Sequence, residues 1–272
     1  MTSWNRMSPK PGINPDNPLN PISPPPCRGR AREGVESQIS RRANPHPNLP
    51  PTKGKGRFGA NDLSGIKGLY AITPDSSDTA DLLRRTRLVL SGGARVLQYR
   101  NKSANAVLRL TQATALRELT REFGVTFILN DDAYLAARVD ADGVHLGATD
   151  GELKTARTIL GKHKIIGVSC YNRLALAQEA VAVGADYVAF GAFFPSTVKP
   201  DAVTADVELL RQARAALAVP LVAIGGITAQ NAAVLINAGA DALAVISALF
   251  DVVDSQAAAQ NFSRFFIRDS AS

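Results

Sequence analysis

No uninterrupted apolar run in the chain approaches the roughly 18 residues that a membrane-spanning helix needs, so a helical transmembrane protein is excluded and no membrane is expected as a partner. Cysteine is nearly absent. Cys27 and Cys170 cannot build a disulfide scaffold, and neither stands in a metal-type Cys-x-x-Cys pair. A reducing, cytoplasmic setting is the expected one. The three histidines, His46, His145 and His163, make no zinc-type cluster and no serine–histidine–carboxylate spacing. No Gly-x-Gly-x-x-Gly follows the first apolar run, which argues against a dinucleotide-binding domain. The N-terminal stretch also lacks the apolar segment of a secretory signal.

What is present divides the 272 residues in two. Of the 31 Lys/Arg and 24 Asp/Glu, ten basic and three acidic residues fall in 1–60, so the whole net charge of +7 belongs to that stretch and the remainder is neutral. A nucleic-acid partner is therefore not expected for the main body. Twelve of the 16 prolines lie before residue 52, including Pro24-Pro25-Pro26. Proline forbids helix interiors, and this stretch has almost no periodic apolar pattern, so residues 1–60 read as a disordered Pro/Arg-rich tail. A dispensable tail or an over-extended start of translation is preferred to a targeting or binding role.

From Gly68 the texture changes to short apolar runs alternating with longer amphipathic segments. The runs are 69–73, 95–99, 125–129, 143–146, 164–168, 187–190, 220–224 and 242–246. Between them lie helical patterns such as 105–123, where Val107, Leu108, Ala115, Leu116 and Leu119 recur at helical spacing. Eight near-equal strand–helix units without hairpin signals predict an all-parallel sheet. Their regularity favours a single α/β domain, a (β/α)8 TIM barrel over 61–272, rather than an open doubly wound sheet. Asp142, Asp186 and Asp241 each precede a strand and read as punctuation after a helix end.

In such a barrel chemistry gathers where strands end. After the second run, alternation predicts Gln98, Arg100 and Lys102 on one face, which suits an anionic ligand with a polar head or, alternatively, a solvated basic rim. Asp131 follows the third run and Asp150 the fourth. Paired carboxylate oxygens are how magnesium is commonly held, with Asp131 the nearer candidate; Asp150 could instead serve a helix N-terminus, and Asp132 is read as such a cap. Ser169 ends the fifth run and can face a heterocycle or a phosphate, while Cys170 is read as a packed residue. The segment 191–200, rich in Gly, Pro and hydroxyls with Lys199 as its lysine, reads as a cover over a phosphorylated ligand. Gly225-Gly226 and Ile246-Ser247 end the last two runs, where barrels often bind phosphate through backbone amides. His145 is read as a hydrogen-bonded structural residue. Two anion sites and a magnesium imply group transfer with a phosphate or pyrophosphate leaving group, which a simple sugar-phosphate isomerisation would not need.

Taken together these residues resemble the thiamine phosphate synthase family. The likeness runs from about Gly68 to Phe266 and rests on Gln98-Tyr-Arg-Asn-Lys102, Asn130-Asp-Asp132, Ala141-Asp-Gly-Val-His-Leu-Gly147 with Asp150, Gly167-Val-Ser-Cys170, Phe194-Pro-Ser-Thr-Val-Lys199, Ala223-Ile-Gly-Gly-Ile227 and Val245-Ile-Ser247. The resemblance implies a transferase that condenses hydroxymethylpyrimidine diphosphate with a thiazole phosphate, or its carboxylated form, giving thiamine phosphate and pyrophosphate. It implies that Gln98, Arg100, Lys102, Asn130, Ser169 and Lys199 hold the pyrimidine diphosphate, with Arg100, Lys102 and Lys199 catalytic. Asp131 and Asp150 would bind one Mg2+, and Ser196, Thr197, Val198, Gly226, Ile246 and Ser247 would hold the thiazole phosphate.

Two positions depart from the family pattern: Asn101 stands where an acidic residue is usual, and Val198 where a threonine is usual. The partners so implied are two small phosphorylated heterocycles, and a homo-oligomer stays open. The alternatives are a thiazole tautomerase-like barrel, whose family places a histidine where this chain has Tyr171 and Asn172, and a non-catalytic phosphate-ligand sensor.

Overall fold

The computed structural model describes residues 65–147, 150–195 and 203–267. The proposed boundary at residues 60 and 61 lies outside them. Eight strands, β1 (Gly68–Ile72), β2 (Val96–Tyr99), β3 (Thr126–Asn130), β4 (Gly143–Leu146), β5 (Ile165–Tyr171), β6 (Tyr187–Phe190), β7 (Leu221–Ile224) and β8 (Ala242–Val245), form a closed barrel. Each pairs in parallel with the next, and β8 returns to β1. The expected barrel is thus observed, and each expected run coincides with a strand to within a few residues. The largest difference is β5. It runs on to Tyr171 because alternation continues through Ser169 and Cys170, with a register shift between Ser169 and Tyr171 against β6.

Helices α1 (Thr79–Ser91), α2 (Ala106–Phe123), α3 (Ala133–Arg138), α4 (Asp150–Leu160), α5 (Leu174–Val183), α6 (Val207–Ala216), α7 (Ala232–Asn237) and α8 (Ser247–Phe250) follow the strands in turn, and α9 (Ser255–Ser263) comes after α8. Their starts are written in the sequence. Asp78, Asn105, Asp132, Asp206 and Asp254 each accept a hydrogen bond from a first-turn backbone N–H, satisfying a donor the helix itself cannot.

Strand parity sorts the core into two layers. Outward residues such as Leu97, Phe127, Val144, Ile166 and Val188 pack against the helices. Inward residues, among them Tyr70, Val96, Ile128, Tyr187, Val222 and Ala242, fill the barrel. Cys170 is outward and fully buried, and burial pushes its thiol up to about 12, as a packed rather than reactive residue requires.

The N-terminal end of the barrel is closed by a repeated device. Asp142, Asp186 and Asp241, just before β4, β6 and β8, each accept the backbone N–H that opens or nearly opens the preceding strand: Phe127 at 2.8 Å, Ile166 at 2.7 Å and Leu221 at 2.8 Å. Each also pairs with an arginine from the helix before the one it follows. Arg117 of α2 grips Asp142 through two bonds of 2.8 and 2.9 Å, Arg157 of α4 reaches Asp186 at 2.7 Å, and Arg214 of α6 reaches Asp241. These aspartates therefore do more than punctuate: they tie helix to sheet before β4, β6 and β8.

Candidate active site

A cavity of about 560 Å³ opens at the C-terminal ends of the strands. Its floor is apolar, from Ile72, Ala189, Ile224 and Ala244, and suits a flat ring. Of the residues expected at the site, Gln98, Arg100, Asn130, Ser169, Gly226, Ile246 and Ser247 all line it. Lys102 is exposed beyond the end of β2, where strict alternation stops, and is not part of the lining. Asp131 is likewise exposed at the rim. Ser196, Thr197, Val198 and Lys199 lie outside the described residues. Asp150 opens α4, and its side chain lies outside the described part.

Arg100 is held at the mouth from both sides. Its backbone N–H donates to Thr73 Oγ1 at 2.9 Å, and the Thr73 hydroxyl returns a bond to the Arg100 carbonyl at 3.0 Å, locking the end of β2 to the end of β1. One guanidinium nitrogen meets Asp75 at 3.1 Å, which orients the head while leaving the rest of its planar fork for an anionic ligand. Asp75 also accepts the Lys102 backbone N–H at 3.1 Å, so it shapes this whole corner.

Asn101 is buried and turned inward. Its amide donates to Ser76 O at 2.6 Å and Gln112 Oε1 at 3.0 Å, and its carbonyl accepts from Ser103 and Ala104. An acidic side chain could not make both donations. Asn101 and Gln112 are a matched pair that holds the loop.

Asp131 adopts a left-handed backbone (φ 63°), and Asn130 donates to its Oδ2 at 2.7 Å. Its hard carboxylate oxygen at a solvent-facing rim suits magnesium, which keeps several waters and takes phosphate oxygens. Among the described residues no three His, Cys, Asp or Glu gather as a metal cage.

Across the mouth, the segment after β6 pairs with the loop after β7. Phe193 N–H donates to Ile224 O at 3.1 Å and Phe194 N–H to Gly225 O at 3.1 Å. Gly226 has φ +60°, and a Cβ there would stand 2.3 Å from Pro195 O. The glycine pair is thus required by close approach of the protein's own chain, beyond any approach of a ligand expected from sequence.

Beneath the cavity runs a set of polar contacts. Gln98 Nε2 donates to Tyr70 Oη at 2.8 Å, Tyr70 and Tyr187 hydroxyls meet at 2.8 Å, Tyr187 Oη meets His145 Nδ1 at 2.9 Å, and His145 Nε2 meets Ser169 Oγ at 2.8 Å. His145 is hydrogen-bonded as expected, and it also lines the cavity wall. Burial lowers its pKa to about 4 and raises both phenols well above their ordinary range, so the set is uncharged at neutral pH.

Tyr70, Tyr187 and Asp75 were not legible as site residues. One signal did exist. Gly167 sits inside a strand, and a Cβ there would fall 1.9 Å from the Tyr187 ring, so the glycine makes room for that phenol.

Residues 69–249 match the family model described as thiamine monophosphate synthase. Among curated relatives, the thiamine-phosphate synthase of Methylobacillus flagellatus is 55% identical over 206 residues, covering 76% of this chain and 98% of that protein. That of Chromobacterium violaceum is 53% identical over 201 residues, covering 74% and 97%. Among solved structures, thiamine phosphate pyrophosphorylase from Pyrococcus furiosus superposes with a TM-score of 0.67 at 35% identity, covering 75% of this chain and 97% of that one. A 3-hexulose-6-phosphate synthase superposes at 0.57 with 18% identity, a likeness of fold alone.

Proposed function

The chain belongs to the thiamine monophosphate synthase family, a premise from which we propose how its barrel mouth works. The enzyme is a transferase that condenses hydroxymethylpyrimidine diphosphate with a thiazole phosphate to give thiamine phosphate and pyrophosphate. The observation that carries the reading is the single cavity shared by Gln98, Arg100, Asn130 and Ser169 on one side and Gly226, Ile246 and Ser247 on the other. Two ligands seated there would lie side by side.

The pyrimidine diphosphate sits against Gln98, Arg100, Asn130 and Ser169, with Lys102 and Lys199 completing the cationic shell. The thiazole phosphate takes Gly226, Ile246 and Ser247, with Ser196, Thr197 and Val198 above it. Asp131 and Asp150 would hold one Mg2+, which when bound neutralises charge on the diphosphate oxygens. The bond between the pyrimidine methylene carbon and the diphosphate oxygen breaks first, and its electron pair leaves with pyrophosphate. Arg100, Lys102 and Lys199 stabilise the charge that gathers on that leaving group. The thiazole nitrogen then donates its lone pair to the methylene carbon, so no general base is needed. Among the described residues the one cysteine, Cys170, is buried and free, which suits a reducing cytoplasm, and whether the active form is a homo-oligomer follows from a sizing measurement.

The test is incubation with both phosphorylated heterocycles and magnesium, following pyrophosphate release with an EDTA control. Release that requires both heterocycles and is abolished by EDTA is expected; release independent of the thiazole, or unaffected by EDTA, overturns the assignment. Lys199→Ala and Asp131→Ala should each lower turnover by about two orders of magnitude or more with the fold retained.

A further inference from the structure

The polar contacts beneath the cavity form a chain with a direction. From β2, β1, β6, β4 and β5 in turn, Gln98, Tyr70, Tyr187, His145 and Ser169 touch at 2.8 to 2.9 Å. Tyr70 and Tyr187 are fully buried, so each hydroxyl hydrogen must find an acceptor within the chain. A hydroxyl has one hydrogen to give, and a neutral imidazole has one donor and one acceptor nitrogen.

Gln98 Nε2 is the donor at the first contact. Tyr70 therefore receives there and gives its hydrogen to Tyr187. Tyr187 in turn gives its own to His145 Nδ1, which leaves the imidazole proton on Nε2, pointing at Ser169 Oγ. Run the other way, Tyr70 would accept from both Gln98 and Tyr187, and its buried hydrogen would have no acceptor. With Gln98 Nε2 as the donor to Tyr70, this sense alone satisfies every group.

We infer that this relay holds His145 in the Nε2–H tautomer and thereby commits the Ser169 hydroxyl to act as a hydrogen-bond donor into the cavity. Because Ser169 accepts from His145, its own hydrogen is free for a ligand, and the atom it selects is an acceptor without hydrogens, such as an unprotonated ring nitrogen. At the opposite end Gln98 commits an N–H to Tyr70 and keeps its amide oxygen as acceptor. A ligand edge with a donor toward Gln98 and an acceptor toward Ser169 is the matching chemistry, that of an amino-substituted nitrogen heterocycle. Tyr70, Tyr187 and His145 are positioning residues in this scheme. Gly167 belongs to it as well, since any side chain there would displace the Tyr187 ring.

The direction of the relay rests on Gln98 Nε2 facing Tyr70; its consequence for ligand choice rests on reading the cavity as the pyrimidine pocket. Nitrogen-15 NMR of the full histidine-labelled chain at neutral pH reads the tautomer directly, with His145 assigned by its loss in His145→Gln. Protonated Nε2 with bare Nδ1 is expected, and a proton on Nδ1 overturns the relay. Tyr70→Phe should keep that tautomer, because Tyr187 still donates, whereas Tyr187→Phe should lose its preference; the reverse order overturns the relay. In turnover, Ser169→Ala should raise KM for the pyrimidine diphosphate about tenfold. Tyr187→Phe should raise it by several-fold, and the double variant should be no worse than Ser169→Ala. Two effects that multiply would overturn the coupling. A wild-type chain with no turnover would instead defeat the functional reading and leave the NMR result standing.

Discussion

The two ends of the barrel use the same kinds of residue to opposite purposes. At the N-terminal end Asp142, Asp186 and Asp241 are paired with arginines and with backbone N–H groups, so their charge is answered within the chain. At the C-terminal end Arg100 has one carboxylate partner, Ser169 keeps a hydroxyl hydrogen, and Asp131 stands at the rim in a left-handed backbone. Polar groups satisfied internally hold a fold together, whereas polar groups aimed into a cavity are available to a ligand. Substitutions at the two ends should therefore separate activity from stability.

The widest separation is expected at Arg100. Arg100→Ala should lower kcat/KM at least about a hundredfold, since it removes a charge from the leaving-group side, while the melting temperature shifts by only a few degrees. Asp186→Ala should do the reverse. It removes the carboxylate partner of Arg157 and leaves the Ile166 N–H without its acceptor, and urea unfolding should show a loss of about 2 kcal/mol with kcat/KM of the folded enzyme nearly unchanged. Were Asp186→Ala to abolish turnover without loss of stability, the division between the ends would fail.

Gly226→Ala blurs the comparison in a defined way, because its added methyl meets Pro195 O and its φ is unfavourable. A cost of about 1–2 kcal/mol is expected together with a raised KM for the thiazole phosphate rather than for the pyrimidine diphosphate. The smallest effect belongs to the exposed Lys164–Asp140 pair at the lower end. The Lys164 ammonium bonded to Asp140 holds that carboxyl below its ordinary range. A depressed carboxylate contributes stability that is present above its unfolded pKa and lost as pH falls through the folded value. Lys164→Ala should therefore flatten acid unfolding below about pH 4 by less than about 1 kcal/mol, given how exposed Asp140 is.

How much of this was legible in sequence also differs between layers. Strand positions followed from short apolar runs, and helix starts from Asn105 and Asp132, because period and capping are local properties. Gln98, Arg100, Asn130, Ser169, Gly226, Ile246 and Ser247 line one mouth because parallel barrels put every strand end on one side. The relay was not legible. Tyr70 and Tyr187 lie 117 positions apart in sequence, and only closure of the barrel brings their hydroxyls together. Strand β2 itself stops at Tyr99, so Arg100 and Lys102 lie beyond the stretch where alternation is a property of the strand. Likewise Asn101 looked like a departure at the site, whereas it is a partner of Gln112 that local sequence could not reveal.

The most direct measurement is a crystal structure of the chain with magnesium, pyrophosphate and thiazole phosphate bound together. The expected result places pyrophosphate against Arg100 and Asn130, and the thiazole phosphate against Gly226 and Ser247, within one cavity at the C-terminal mouth. Either anion seated instead at the Arg117, Arg157 or Arg214 end, or the two held in separate cavities, would contradict it.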